Sequence, residues 1–170
     1  MTTVTLNGKI VHTSKLPPAI GSKAPDFSLI DEDLKEVSLK TFPGKRKLLY
    51  CVPSLDTNVC SISSKKLNDA LQNHPEIVAL IISADLPFAQ KRICGQENMH
   101  NVKTLSMMRS KDFAKEYGTF ILDGPLAGLS ARALFVLDKD DTIIYEELVP
   151  EITQEPNYEH ALKALSLLHN

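Results

Sequence analysis

The chain has 170 residues, 43% hydrophobic and 24% charged. That is an ordinary globular mixture, and a domain of this size can bury roughly 70% of its unfolded surface without a metal or disulfide staple. Lys and Arg number 19 against 21 Asp and Glu, a formal charge of −2. The near-balance argues against a nucleic-acid groove or a polybasic membrane patch, although Lys45, Arg46 and Lys47 form a local basic cluster. Three cysteines, Cys51, Cys60 and Cys94, are too few and too odd in number for a disulfide framework. Their spacing contains no C-x-x-C of a zinc ribbon or dithiol motif.

The longest unbroken apolar run, Ile77 to Ile82, is six residues, too short for a membrane span or a signal peptide. The expectation is a cytoplasmic, reducing compartment, where cysteines act as thiols or transient redox groups.

In chain order, Val4 to Leu6 and Lys9 to Val11 flank Asn7-Gly8, the dipeptide suited to a two-residue hairpin turn, and predict an N-terminal β-hairpin. After the breaks at Pro17-Pro18 and Gly21 to Pro25, Phe27 to Leu29 and Val37 to Leu39 alternate about an acidic turn and read as two short strands. Lys47 to Val52 is an apolar strand ending at Pro53, Asn58 to Asn73 has a helical pattern, and Ile77 to Ser83 is again apolar. Together they form a βαβ unit with parallel, doubly covered strands. Asp85 is placed to cap a short helix with Pro87 in its first turn and Gly95 just past its end. Val102 to Met107 reads as a strand and Lys111 to Tyr117 as a helix. Ala133 to Leu137 and Thr142 to Leu148 read as an antiparallel pair across Asp138 to Asp141. Tyr158, Ala161, Leu162, Leu165 and Leu168 repeat at helical spacing and predict a closing amphipathic helix over 158–168. The fold class is α/β, a mixed sheet flanked by helices with an added N-terminal hairpin, in one domain spanning 1–170.

Cys60 falls in the first turn of a helix that follows an apolar parallel strand, the end of an α/β sheet where sites usually sit. Orphan N–H groups and the positive end of the helix dipole favour a thiolate there. Thr57, three residues earlier, can face whatever the sulfur attacks. The same placement also suits an N-cap threonine and a small buried thiol. Cys94 falls in the last turn of the 87–94 helix, where the dipole disfavours a thiolate and Lys91 and Arg92 partly offset it.

Pro53-x-x-x-Thr57-x-x-Cys60 resembles the active-site motif of the peroxiredoxins, and Ser83-Ala84-Asp85-Leu86-Pro87-Phe88-Ala89-Gln90-Lys91-Arg92-Ile93-Cys94 resembles the signature of their bacterial thiol peroxidase branch. Gly128 to Ala133 is similar to the family's arginine-bearing strand start, and the similarity runs through essentially the whole chain. The resemblance implies a thioredoxin-like fold and an atypical two-cysteine peroxiredoxin reducing hydrogen peroxide and alkyl or lipid hydroperoxides. It makes Cys60 the peroxidatic cysteine, Cys94 the resolving one joined to it in an intramolecular disulfide, and Thr57 and Arg132 the groups that position and polarise the peroxide. Pro53 would shield the thiolate from water. The family also implies recycling by thioredoxin as external reductant and a homodimer. Since each cysteine sits on its own helix, disulfide contact requires one or both helix ends to unwind.

Cys51, inside the Leu48 to Val52 strand, departs from the family pattern and reads as core. Asp138 to Asp141 lacks the glycine and glutamate of a calcium loop and reads as a solvated turn, and Ser63-x-x-Lys66 as helix surface. His12, His74, His100, His160 and His169 show no ligand spacing, and no phosphate-cradling glycine loop is present, so neither a metal nor a nucleotide cofactor is expected. Two other classes use the same cysteines: a redox sensor with a protein client, and a thiol-disulfide oxidoreductase, weakened by the missing C-x-x-C.

Overall fold

The computed structural model describes residues 1–166. β1 (Thr2–Leu6) and β2 (Lys9–Thr13) form the N-terminal hairpin, and its turn carries positive φ at Asn7 (51°) and Gly8 (79°), as a two-residue turn requires. A seven-stranded sheet follows, in the order β4-β3-β7-β6-β5-β8-β9. Its members are β3 (Leu29–Ile30), β4 (Glu36–Val37), β5 (Arg46–Cys51), β6 (Ile77–Ser83), β7 (Lys103–Ser106), β8 (Ala133–Leu137) and β9 (Ile143–Leu148). β5, β6 and β7 are mutually parallel; β8 pairs antiparallel with β5 and β9 with β8. The helices are α1 (Asn58–Ala70), α2 (Pro87–Gln96), α3 (Asp112–Glu116) and α4 (Tyr158–Ser166).

The βαβ unit β5-α1-β6 forms as its apolar pattern predicts, because both strands are buried along their whole length. The two-residue side-chain period of β5 divides the core into two halves. Leu49 and Cys51 face one half, with Leu80, Ile82, Phe113 and Tyr117, where the Phe113 and Tyr117 rings stack at 4.3 Å. Leu48, Tyr50 and Val52 face the other, with Cys60, Leu67, Cys94, Ala161 and Leu165. Cys60 and Cys94 therefore share a face, and Cys51 points away from both.

Several expectations are corrected. Phe27 and Ser28 precede β3, and Leu39–Thr41 is a 3-10 turn, because Asp26 Oδ1 accepts from the Leu39 N–H (3.0 Å) and draws the chain out of the strand. Asp85 does not cap α2; Leu86 is the N-cap, and the Asp85 carboxylate turns to Ser54, Leu55 and Ser83. Gly95 lies within α2, and the left-handed residue that stops the helix is Asn98 (φ 54°). Met99 N donates to Cys94 O (3.0 Å) and Asn98 N to Gly95 O (3.4 Å), the paired bonds of a Schellman ending.

The basic cluster is structural. Lys47 is fully buried, its Nζ 2.5 Å from Asp141 Oδ1, so the 138–141 turn is more than solvated loop. Arg46 donates through Nη1 to Leu165 O and lies 3.6 Å from Glu76. Ser63 is buried rather than surface, its hydroxyl donating to Val59 O (2.6 Å). α4 covers its predicted position as far as Ser166; Leu168 lies outside the described residues. No helix among the described residues is long and apolar enough to cross a membrane.

Candidate active site

β5 ends at Cys51, Pro53 and Leu55 are buried, and the chain turns through 54–57 into α1. Cys60 is the third residue of α1, among the N–H groups that have no partner within the helix, and its side chain is fully buried. Arg132 stands at the entry to β8, next to β5, and is 2% exposed. Its guanidinium has three recorded partners: Nε donates to Ile152 O (3.0 Å), and Nη1 donates to Tyr50 Oη (2.9 Å) and to Cys60 Sγ (3.1 Å).

None of the ion pairs recorded among the described residues gives Arg132 a carboxylate. A buried cation without a counter-charge costs several kcal/mol, so this guanidinium is best satisfied when negative charge resides on or near the Cys60 sulfur. Burial works against its charge, while Tyr50 and Cys60 favour it and prevail, holding the pKa above its ordinary value. The Tyr50 phenol is pushed well up by burial, against the pull of Arg132, and stays protonated at neutral pH.

Thr57 is the N-cap of α1 but makes no side-chain capping bond; its exposed hydroxyl donates to Ser54 O (3.1 Å) instead. Cys94 lies in the last turn of α2, 9% exposed, and all three cysteines are free thiols. Burial, then the charge of Glu32, pushes the Cys94 thiol up to about 11 against a hydrogen bond with Thr104. Cys51 is fully buried, which alone drives its thiol strongly upward. Among the described residues no group of three or more His, Cys, Asp or Glu is arranged to hold a metal ion.

The structure thus brings Cys60 and Arg132 together, sets Pro53 and Thr57 at either side of the connecting loop, and keeps Cys94 on a separate helix of the same face. Tyr50 was not singled out from sequence, because a tyrosine inside Leu48 to Val52 reads as one more core residue. Its alternation with Leu49 and Cys51 was the available signal, placing it on the face of the helix that carries Cys60.

Residues 19–162 match the family model described as Redoxin. A thiol peroxidase of Leptospira interrogans serogroup Icterohaemorrhagiae serovar copenhageni is 52% identical over 166 residues, covering 96% of this chain and 97% of the relative. The chain belongs to the Redoxin family. Among solved structures, this redoxin is similar to a peroxiredoxin-like protein from Aquifex aeolicus, with a TM-score of 0.91 and 38% identity over 98% of both chains. A thiol peroxidase from Chromobacterium violaceum has the same fold, with a TM-score of 0.91 at 22% identity over 98% of this chain and 97% of that one. The redoxin's thioredoxin-like architecture, with its hairpin and mixed sheet, is therefore that of the peroxiredoxins.

Proposed function

We propose that this protein is a thiol-dependent peroxidase in which Cys60 reduces hydrogen peroxide and alkyl or lipid hydroperoxides. The observation that carries the reading is the Arg132 Nη1 donor 3.1 Å from Cys60 Sγ, on a guanidinium that pairs with no carboxylate among the described residues. A thiolate attacks one oxygen of ROOH, the O–O bond breaks, and the other oxygen leaves as alkoxide or hydroxide and takes a proton. Charge moves from sulfur to the departing oxygen, so one fixed cation beside both stabilises the start and the developing end of the step. Tyr50 and Ile152 O hold that cation in place. In this reading Thr57, whose exposed hydroxyl donates to Ser54 O, orients the peroxide, and the buried Pro53 keeps water from the sulfur.

Cys60 leaves the step as a sulfenic acid. Condensation with the Cys94 thiol gives an intramolecular disulfide and one water. The raised pKa of Cys94, about 11, suits a partner that attacks only after α2 opens. A dithiol reductant of thioredoxin type then restores both thiols, with no resident cofactor, in a cytoplasmic homodimer. The 52% identity to a relative named thiol peroxidase supports this over a sensor that stops after one turnover or an oxidoreductase acting without peroxide.

Cys60→Ser is expected to abolish peroxide consumption, and Cys94→Ser to consume about one equivalent and accumulate sulfenic acid on Cys60. Sustained turnover in wild type supplied with thioredoxin and its reductase completes the expectation. Normal turnover by Cys60→Ser overturns it.

A further inference from the structure

The loop that delivers Cys60 and the helix that carries Cys94 meet at one carboxylate, the loop directly and the helix through Ser83. Asp85 Oδ1 accepts from Ser54 Oγ (2.7 Å), and Oδ2 accepts from Leu55 N (2.8 Å) and Ser83 Oγ (2.7 Å). The Ser83 hydroxyl in turn accepts from Gln90 Nε2 (3.0 Å), which also donates to Leu105 O (2.9 Å). Ser106 Oγ closes the group on Asp85 O (2.5 Å). Gln90 is fully buried one turn before Cys94 on the same face of α2, and its Oε1 has no partner among the described residues. A chain of hydrogen bonds thus runs from the Cys60 loop, through the end of β6, to the body of α2.

We propose that Asp85 is a positioning residue that locks the Cys60 loop and the Cys94 helix on one polar knot and so sets how Cys60 sulfenic acid is partitioned. This rests on the Cys60–Cys94 reading above. The two fates are Cys60–SOH + Cys94–SH → disulfide + H₂O, and Cys60–SOH + ROOH → Cys60–SO₂H + ROH. The first needs both segments to open, while the second proceeds with them closed. A tighter knot therefore lengthens the life of the sulfenic acid and favours over-oxidation. Two of the donors on the carboxylate, Ser54 Oγ and Leu55 N, belong to the Cys60 loop, and the third, Ser83 Oγ, carries the link on to Gln90 of α2. Opening the loop strips Asp85 of two donors, and opening α2 removes Gln90 from the Ser83 hydroxyl that braces Asp85, so each opening weakens the hold on the other segment and the two open together.

Asp85→Asn loses charge-assisted bonds, each of which shifts an opening equilibrium on the order of tenfold. In the dithiol protein, amide exchange is expected to quicken on that scale in both 54–60 and 87–94. In wild type treated with rising hydroperoxide, sulfinic acid on Cys60 is counted by mass. The variant should need about tenfold more peroxide for the same sulfinic fraction. Ser54→Ala, a milder cut on the loop side alone, should still quicken exchange in 87–94, and serves if Asp85→Asn fails to fold. Faster exchange confined to the cut side, or an unchanged sulfinic fraction in a folded variant, overturns the proposal. In a Cys94→Ser background Asp85→Asn should give no protection, since no disulfide competes; protection there also overturns it. If wild type forms no Cys60–Cys94 disulfide, the underlying reading fails, while the exchange arm still judges the knot.

Discussion

At the scale of single residues, the site is a cation with a sulfur beside it and two anchors behind it. Tyr50 Oη and Ile152 O hold the Arg132 guanidinium, and a shift of it would displace the donor at 3.1 Å from Cys60. Tyr50→Phe keeps the buried ring and removes one hydrogen bond to a charged group. The expected result is a rate of reaction with peroxide lower on the order of tenfold, with alkylation by iodoacetamide, which has no O–O bond to polarise, reduced much less. Stopped-flow peroxide kinetics beside alkylation kinetics check this; equal losses in both would mean that the phenol serves only folding. Arg132→Lys should lose more than Tyr50→Phe, because a single ammonium nitrogen of shorter reach cannot donate at once to Ile152 O, Tyr50 Oη and Cys60 Sγ in the guanidinium's fork geometry. The order of the two peroxide rate constants is the readout. Cys60, Cys94, Thr57, Pro53 and Arg132 stand out in the sequence because their spacing resembles a known motif, and the structure sets Arg132 against Cys60. Tyr50 was hidden in an apolar run, and Asp85 was misread as a cap because its partners, Ser54 and Leu55, are 31 and 30 positions away.

At the scale of elements, local signals were read well where local physics decides. Asn7-Gly8 predicted the hairpin, and both φ angles are positive. What docks the hairpin lies at the other end of the chain: Glu151 accepts from Thr5 Oγ1 (2.6 Å), Asn7 N (2.9 Å) and Gly8 N (3.0 Å). The Thr5 hydrogen bond first, then those from Gly8, Asn7 and Thr153, outweigh burial and lower this carboxyl to about 2. A carboxyl depressed on folding contributes stability above its unfolded pKa, about 4.3, and loses it as pH falls toward the folded value. Glu151→Gln should therefore be less stable than wild type at pH 6 by a modest, solvent-screened margin, with the gap closing between about pH 4.3 and pH 2. Chemical denaturation of both proteins across that range is the check, and a gap constant with pH would contradict it. Gly118 (φ 73°) turns the chain after α3 where an added Cβ would lie 2.6 Å from Lys15 O and 2.8 Å from Pro17 N, both backbone atoms. Gly118→Ala should cost about 1–3 kcal/mol from conformation alone, plus the clash, seen as a lower denaturation midpoint. A midpoint equal to wild type would show that the backbone yields there.

At the scale of the whole molecule, alternation along β5 does the organising. It sends Tyr50 to the face of α1, α2 and α4 and Cys51 to the face of α3, so a chain with three thiols has two on one side of the sheet and one on the other. The parallel pair and the β8–β9 hairpin were readable because β6, β8 and most of β5 are runs of apolar residues and the turn between β8 and β9 carries its own polar residues. The strand order, which brings Arg132 beside Tyr50 across 82 positions, rests on tertiary packing that no local pattern reports. The odd cysteine is set apart by the fold: Cys51 is fully buried in the half of the core away from Cys60 and Cys94. The pairing of the thiols is read directly when wild-type protein is given one equivalent of hydroperoxide, blocked, digested without reductant and mapped by mass. The expected result is a single linkage joining the Cys60 and Cys94 peptides with loss of two hydrogens, and Cys51 recovered as free thiol. A linkage through Cys51, or Cys60 recovered unmodified after peroxide is gone, would contradict it.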